Sequence, residues 1–368
     1  MLERFKVPEN DQIRIDHQDL RSTVESIFLK LDCSMEHAVA GADTLVSTDL
    51  RGVETHGVSN MLRTYVCEFQ SGKINSRPEV KVIRETPGTV ALDGDRGLGV
   101  MLAPGAMKRA IDKAKTVGIG VCVMQNSGHM GAIGHHAMLA AKENMVGMTT
   151  TSGGAGSRVF VLPTFAAEPR FGTNPIAIAA PARSQPFLLF DAATSAIAGN
   201  KIGLAERVGA MLEPGWIAKL DGSPIVEPVH SPGAGNYWQL PLGGIREQGS
   251  HKGYGLSMIP EVLGTMLSGA RPGMLPGERL AQDHYFAAYN IEAFTDTDRF
   301  LDTMDEMLKT LRDTPSAPGY DRVLYPGLSE YEEEIDRLKI GIPLHKEVLE
   351  WFDGITAELD LPKLPRKQ

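Results

Sequence analysis

Cysteine is scarce. Cys33, Cys67 and Cys122 are the three in 368 residues, and their spacing supports neither a disulfide framework nor a zinc site. Two of them fall in apolar helix or strand patterns, so they read as buried thiols of a reducing compartment. Positive charge is in deficit too: a net charge of −9 leaves no basic stripe for nucleic acid. No apolar run approaches membrane-spanning length, and the opening Met1-Leu-Glu-Arg-Phe-Lys-Val-Pro-Glu-Asn-Asp11 is too charged for a signal peptide. A cytoplasmic protein without a membrane partner is expected. The glycine fingerprint of a Rossmann unit is also missing. Gly94-Asp-Arg-Gly-Leu-Gly99 has the wrong order and no strand–turn–helix context, so any nucleotide must be held another way.

What is present is ordinary for a soluble globular chain, with 42% hydrophobic and 23% charged residues, and long enough for two or three domains. Helical periodicity covers Asp19–Leu31, a stretch from Ser34 through Leu45, and a third after His56 that ends at Gly72. Val80–Val82 and Thr89–Leu92 read as short strands. Helix at Pro104–Thr116, strand at Gly118–Met124, helix at Ala132–Asn144 and strand at Val146–Thr151 then alternate, which favours an α/β fold. Strands are predicted at Phe171–Pro181, Pro186–Asp191 and His284–Phe294. A Pro- and Gly-rich irregular segment is predicted from Glu213 to Gly249, and helices at Tyr254–Leu267, Asp298–Arg312, Ser329–Leu338 and His345–Leu359.

Two histidines stand out. His56 lies in Glu54-Thr-His-Gly-Val58 and His129 in Asn126-Ser-Gly-His-Met-Gly131, directly after an apolar strand. Neighbouring glycines strip cover from an imidazole and let a ligand approach, and imidazole moves protons near neutral pH. Either could also be a satisfied loop histidine. Asp191, ahead of Ala192 and Ala193, suits a nucleotide's hydroxyls or serves as a helix N-cap. His251 and Lys252 open a glycine-rich helix start where phosphate is favoured, though a surface lysine fits as well. Tyr325-Pro-Gly-Leu-Ser329 makes a turn, and in Gly172-Thr-Asn-Pro175 the Asn174 amide could equally satisfy its own turn.

Taken in order, Arg51–Ser59, Asn126–Gly131, Gly172–Pro175, Phe190–Ser195, Pro241–Gly244, His251–Gly255 and Leu324–Gly327 resemble the malate/L-lactate dehydrogenase family over about residues 10–345. That family also contains ureidoglycolate dehydrogenase, 2,3-diketogulonate reductase, sulfolactate dehydrogenase and piperideine-2-carboxylate reductase. The resemblance implies an NAD- or NADP-dependent oxidoreductase acting on a small 2-oxo or 2-hydroxy acid, and a homodimer. It implies a non-Rossmann nucleotide-binding domain on a mixed, largely antiparallel sheet, about residues 76–295. A mainly helical domain would come from the two chain ends, 1–75 and 296–368, with the active site between. His56 matches a histidine proposed as proton donor, and His129 one proposed as acid/base. Asp191, Ala192 and Ala193 match one cofactor contact, His251 and Lys252 a second, Gly327, Leu328 and Ser329 a third; Thr173 and Asn174 are added as cofactor candidates. Where many relatives carry a substrate-gripping arginine this chain has Asn60, with Arg63 and Tyr65 near the usual Arg and Tyr spacing. Leu328 replaces a polar residue, and 158–170 lacks a clear counterpart.

Three other readings stay open. One is a cyclic-imine reductase with the same hydride chemistry. Another is a metal-dependent hydrolase using His56, His129, His135 and His136, weakened because His135 and His136 are adjacent and face opposite ways on a helix. The last is a catalytically silent binding protein of the same fold.

Overall fold

Residues 6–277 and 281–366 are described by the computed structural model; the first part of the charged opening stretch, residues 1–5, lies outside them. Strand β1 (Gln12–Ile15) leads into helices α1 (His17–Lys30), α2 (Met35–Leu50) and α3 (Val58–Gln70). Asp16 and Ser34 cap the first two by accepting amide hydrogens from Gln18 and His37. The predicted apolar stripes of these helices are buried together in one core.

The predicted alternation follows as β2 (Lys81–Glu85), β3 (Thr89–Asp93), α4 (Gly99–Val117), β4 (Ile119–Ser127), α5 (Gly134–Ala141) and β5 (Met145–Gly153). Helix α4 begins before Pro104, where a start was expected. Proline leaves the Val100 carbonyl without its helical donor, and Thr44 Oγ1 donates to that oxygen at 3.1 Å instead. Glycine lets both helices lie on the sheet: a Cβ at Gly120 would stand 1.8 Å from the Ala110 oxygen, and one at Gly147 2.2 Å from that of Ala137.

Then come β6 (Ile176–Ala180), β7 (Leu188–Ala192) and α6 (Gly199–Val208). Helix α6 was not predicted, because no side chain caps it and Gly199 and Gly203 interrupt its pattern. The irregular segment holds the two-residue pair β8 (Ile217–Ala218) and β9 (Trp238–Gln239) and a 3-10 turn, Arg246–Gln248. Helix α7 (Ser250–Pro260) starts one turn before the expected Tyr254 and continues as a π-helical turn, Glu261–Met266. Strand β10 (Gln282–Asn290) ends short of the expected Phe294, in a 3-10 turn. The chain finishes with α8 (Thr297–Arg312), α9 (Leu328–Ile340), β11 (Ile342–His345) and α10 (Lys346–Glu358).

The central sheet runs β2-β3-β4-β10-β5-β6-β7. Only β3 and β4 pair in parallel; the other neighbours are antiparallel. Away from it, β1 pairs with β11, Gln12 opposite His345 and Ile15 opposite Ile342. Val348, Leu349, Phe352 and Ile355 of α10 complete the N-terminal core. The resemblance implies that residues 296–368 pack with the N-terminal segment, but not all of them join that core. Met304 and Leu308 of α8 pack with Tyr325 and Leu328 against Ala180 and Leu188 of the sheet.

Helix α9 reaches back across the molecule through Arg337, which is 4% exposed. Its guanidinium donates to Glu54 Oε1 and to the Asp49 carbonyl, both at 2.7 Å, and to Glu333 at 3.0 Å. Removing one partner of a buried ion pair strands the other in a poorly solvated site. Arg337→Met is therefore expected to lower unfolding stability by about 3–5 kcal/mol, with Glu54→Leu added on top recovering much of the loss. Urea unfolding of the two variants measures this, and wild-type stability in the single variant would contradict it.

Candidate active site

His56 stands on the tight loop between α2 and α3. Beneath it lies the buried carboxyl of Asp49, which accepts the Ser59 hydroxyl at 2.9 Å and the Ser59 amide at 3.3 Å. Gly57 packs against that carboxyl so closely that a Cβ would fall 2.2 Å from Asp49 Oδ1. This contact explains the glycine after the histidine. Burial, with Glu54 nearby, pushes Asp49 up to about 7.

His129 is presented by the loop after β4. The Gly94–Gly99 stretch clamps that loop. Gly128 N donates to the Gly97 oxygen at 2.8 Å, and Val100 N to the His129 oxygen at 3.1 Å. A Cβ at Gly99 would sit 2.4 Å from the Gly128 oxygen, so only glycine permits the approach. Asn126, at φ +60°, anchors the loop by donating to Asp93 at 2.8 Å.

The two loops bring the imidazoles into a stack, centroids 5.8 Å apart and planes 16° apart. They are not equivalent. His129 Nδ1 lies 3.2 Å from the Gly131 amide, which can only donate, and 2.6 Å from the Tyr65 hydroxyl. Nδ1 must therefore accept, so the ring's hydrogen sits on Nε2. His56 Nδ1 faces the Thr55 hydroxyl at 2.8 Å, a group that can donate or accept. His56 can thus carry protons on both nitrogens, and His129 cannot without breaking a hydrogen bond. Burial holds both neutral, His56 down to about 4 with the Lys201 charge adding to the effect, and His129 down to about 3.

A cleft of about 460 Å³ opens beside His56, lined among others by Thr173, Asp191, Ala192, Ala193, Lys201 and Gly327. Asp191 Oδ2 accepts the first amide of α5, that of Gly134, at 2.7 Å. Among the described residues no hydrogen bond reaches its other oxygen. The residue is exposed on the cleft, and the protein packed around the carboxyl strips enough solvation to push it up to about 6. Small residues beside an acceptor suit an extended, hydroxyl-bearing group such as a nicotinamide dinucleotide. A second pocket of about 290 Å³ shares His56, Gly131 and Thr173 and adds His129, Arg158 and Asn174.

Other expected residues fall outside the cleft. Arg63 is exposed on α3, while Asn60 Nδ2 donates to its own loop at the Thr55 carbonyl, 3.1 Å away. Tyr65 is fully buried and turns its hydroxyl to His129. Leu328 is packed in the core under α8, and Ser329 is not among the lining residues. His251 and Lys252 are exposed at the start of α7, outside both pockets. Asn174, at φ +39°, turns its amide away from the second pocket, donating to Ser257 and Glu261 at 2.9 Å. His136 Nε2 meets the Met130 carbonyl at 2.9 Å, and among the described residues no three His, Cys, Asp or Glu side chains gather as metal ligands. Lys201 was missed. Only its place shortly after the Asp191 motif could have drawn notice.

The sequence model of the malate/L-lactate dehydrogenase family matches residues 15–352. The chain belongs to that family. Membership makes it an oxidoreductase acting on CH–OH groups. It is 39% identical over 371 residues to a malate dehydrogenase of Pyrococcus abyssi, covering 99% of each chain. With an L-sulfolactate dehydrogenase of Methanocaldococcus jannaschii it shares 33% over 93% of this chain and 96% of that one. The structure of malate dehydrogenase from Pyrococcus horikoshii superposes with a TM-score of 0.88 at 34% identity, covering 98% of this chain and 99% of that one. No helix among the described residues is long and apolar enough to cross a membrane.

Five histidines of this family member, His56, His129, His135, His136 and His284, are held neutral mainly by burial, the first down to about 4 and the others to about 3, against an ordinary value of 6.5. Between pH 6.5 and 4 the unfolded chain binds protons that the fold refuses, so this part of the stability is lost on acidification. Asp49, Asp191 and Glu261, raised to about 7, 6 and 7, oppose the trend, being protonated in the fold while ionised in the unfolded chain. Being fewer, they reduce the slope without reversing it. Melting temperature is expected to fall from pH 7 to pH 5; a constant or rising value would contradict the assignment.

Proposed function

We propose that the protein is a nicotinamide-dependent dehydrogenase of small 2-hydroxy acids, reducing the matching 2-oxo acids in reverse. The observation that carries this reading is the stacked pair of imidazoles, only one of which is free to become an imidazolium, at the edge of a cleft suited to a dinucleotide. Names of the relatives support the substrate class, since they act on malate, sulfolactate and other hydroxycarboxylates. A bound reduced nicotinamide, NAD or NADP, supplies the hydride.

The chain's own residues do the rest. His56 gives a proton to the substrate's carbonyl oxygen while Nδ1–H donates to Thr55. His129 offers its Nε2 hydrogen to the same substrate and stays neutral, fixed by Tyr65 and the Gly131 amide. Asp191 takes a cofactor hydroxyl on its free oxygen, with Ala192, Ala193, Thr173 and Gly327 forming the wall. The sheet region, about residues 76–295, acts as the non-Rossmann nucleotide-binding domain, and the helices of the two chain ends close the cleft. Leu256, Met258, Ile259, Val262, Met266 and Leu267 leave an apolar helix face exposed, which supports a homodimer built on it.

His56→Ala is expected to lower kcat by about 10²–10⁴ with cofactor affinity kept. His129→Ala should mainly raise KM, since its hydrogen bond serves ground and transition states alike. Nicotinamide absorbance during 2-oxo acid reduction reads both, and a full-speed His56→Ala enzyme would transfer the proton role to His129. In a separate measurement, Asp191→Ala is expected to weaken cofactor binding by about ten- to a hundredfold, for a charged hydrogen bond worth about 1.5–3 kcal/mol. Intact affinity with lower thermal stability would leave Asp191 only as the cap of α5.

A further inference from the structure

No arginine from α3 reaches the cleft, and Arg158 lines only the second pocket, so inside the cleft the charge that receives an acidic substrate comes from another element. Two cations from Lys and Arg line the larger cavity. Arg51 is engaged by Glu334 at 2.8 Å. Lys201 is not engaged: its side chain is half-buried in the first turn of α6, and no acidic group pairs with it among the described residues. Its position beside His56 is built in. Asn200 Nδ2 donates to the Thr55 carbonyl at 2.9 Å and contacts Met61 Sδ at 3.2 Å, tying the start of α6 to the loop that carries His56.

The cleft is therefore polarised. Asp191 and Glu330 act on each other's side of it, while Lys201 acts on His56. Burial lowers the lysine's own affinity for its proton, as expected of a cation lacking a counter-ion. An unpaired, partly desolvated ammonium at the histidine end of a cleft calls for an anion there.

We propose that Lys201 holds the substrate carboxylate next to the reacting carbon, presenting the carbonyl oxygen to His56. This rests on the 2-oxo acid reading given above. Arg158, and Lys73 paired with Glu68, line the adjoining second pocket. The His56 ring meets the stacked His129 and the Thr55 hydroxyl, and Lys201 is the cation whose charge acts on it. An incoming carboxylate balances that charge, so a proton can rest on His56 once an acid is bound. The site then favours 2-oxo acids over their neutral esters.

The test uses full-length enzyme with Lys201→Met and Lys201→Arg. Pyruvate and methyl pyruvate are compared as substrates, cofactor binding is followed by nicotinamide fluorescence, and oxalate is titrated by calorimetry. Lys201→Met is expected to raise KM for pyruvate by about 10²-fold, to bring the acid-to-ester preference near unity, and to weaken oxalate at least tenfold. Cofactor affinity should stay within about twofold, and Lys201→Arg should restore most of the preference. An unchanged acid-to-ester preference, or weakened cofactor binding in place of weakened oxalate, would overturn the proposal. If the wild type reduces no 2-oxo acid with either cofactor, the functional reading fails. Oxalate affinity, equal or unequal between wild type and Lys201→Met, still decides whether Lys201 is the anion site.

Discussion

The guanidinium of Arg337 is the contact on which the site most depends. It lies in a place with almost no water, paired with Glu54 where both side chains are 5% exposed, and it also satisfies the last turn of α2 at the Asp49 carbonyl. Glu54 is two residues before His56, and Asp49 supports the glycine after it. The late helix α9 therefore sets the pose of a loop from the first sixty residues. Such a pair brings little net stability, because desolvation offsets much of the attraction, but it tolerates few alternative arrangements. Specificity of pose is what it contributes here.

Around that anchor the site is assembled by backbone approach more than by side-chain packing. Gly57 against Asp49 and Gly99 against Gly128 each remove a side chain so that two segments can meet. The resulting loops carry one imidazole each, and their difference follows from a single amide. Gly131 N–H occupies the lone pair of His129 and fixes its tautomer, while His56 rests on a hydroxyl that accommodates either state. Two residues of the same type thereby differ in where each can carry a proton.

Much of this was legible in the sequence because it is local. His56 and His129 announce themselves by their glycines, and the helices α1, α2 and α8 by their capping residues and apolar stripes. The alternation from Thr89 to Thr151 follows the observed elements closely. What escaped was non-local or uncapped. Strands β1 and β11 are four residues each and acquire meaning only by pairing across more than three hundred residues. Helix α6 has no capping side chain, so Lys201 went unnoticed. Arg63 and Tyr65 share one helix but face opposite environments, and only the packing of α3 reveals that the tyrosine meets His129 while the arginine meets solvent. The expectation that α8 joins the N-terminal helices failed for the same reason, since its apolar stripe fits two possible hosts.

The pairing of β1 with β11 has a consequence for how the chain acquires its activity. The central sheet can be completed once β10 has emerged from the ribosome, because its seven strands all lie before residue 291. The helical layer carrying His56 cannot. Its core lacks Ile342, Leu344, Val348 and Phe352 until β11 and α10 are available, and its loop lacks Arg337 until α9 is. Contacts of such long sequence separation form late, after the entropy of closing a large loop has been met. A nascent chain thus presents a folded sheet with an unfinished N-terminal layer waiting beside it, exposed to chaperones or aggregation in the interval. The setting of His56 is complete only when α9, β11 and α10 have docked.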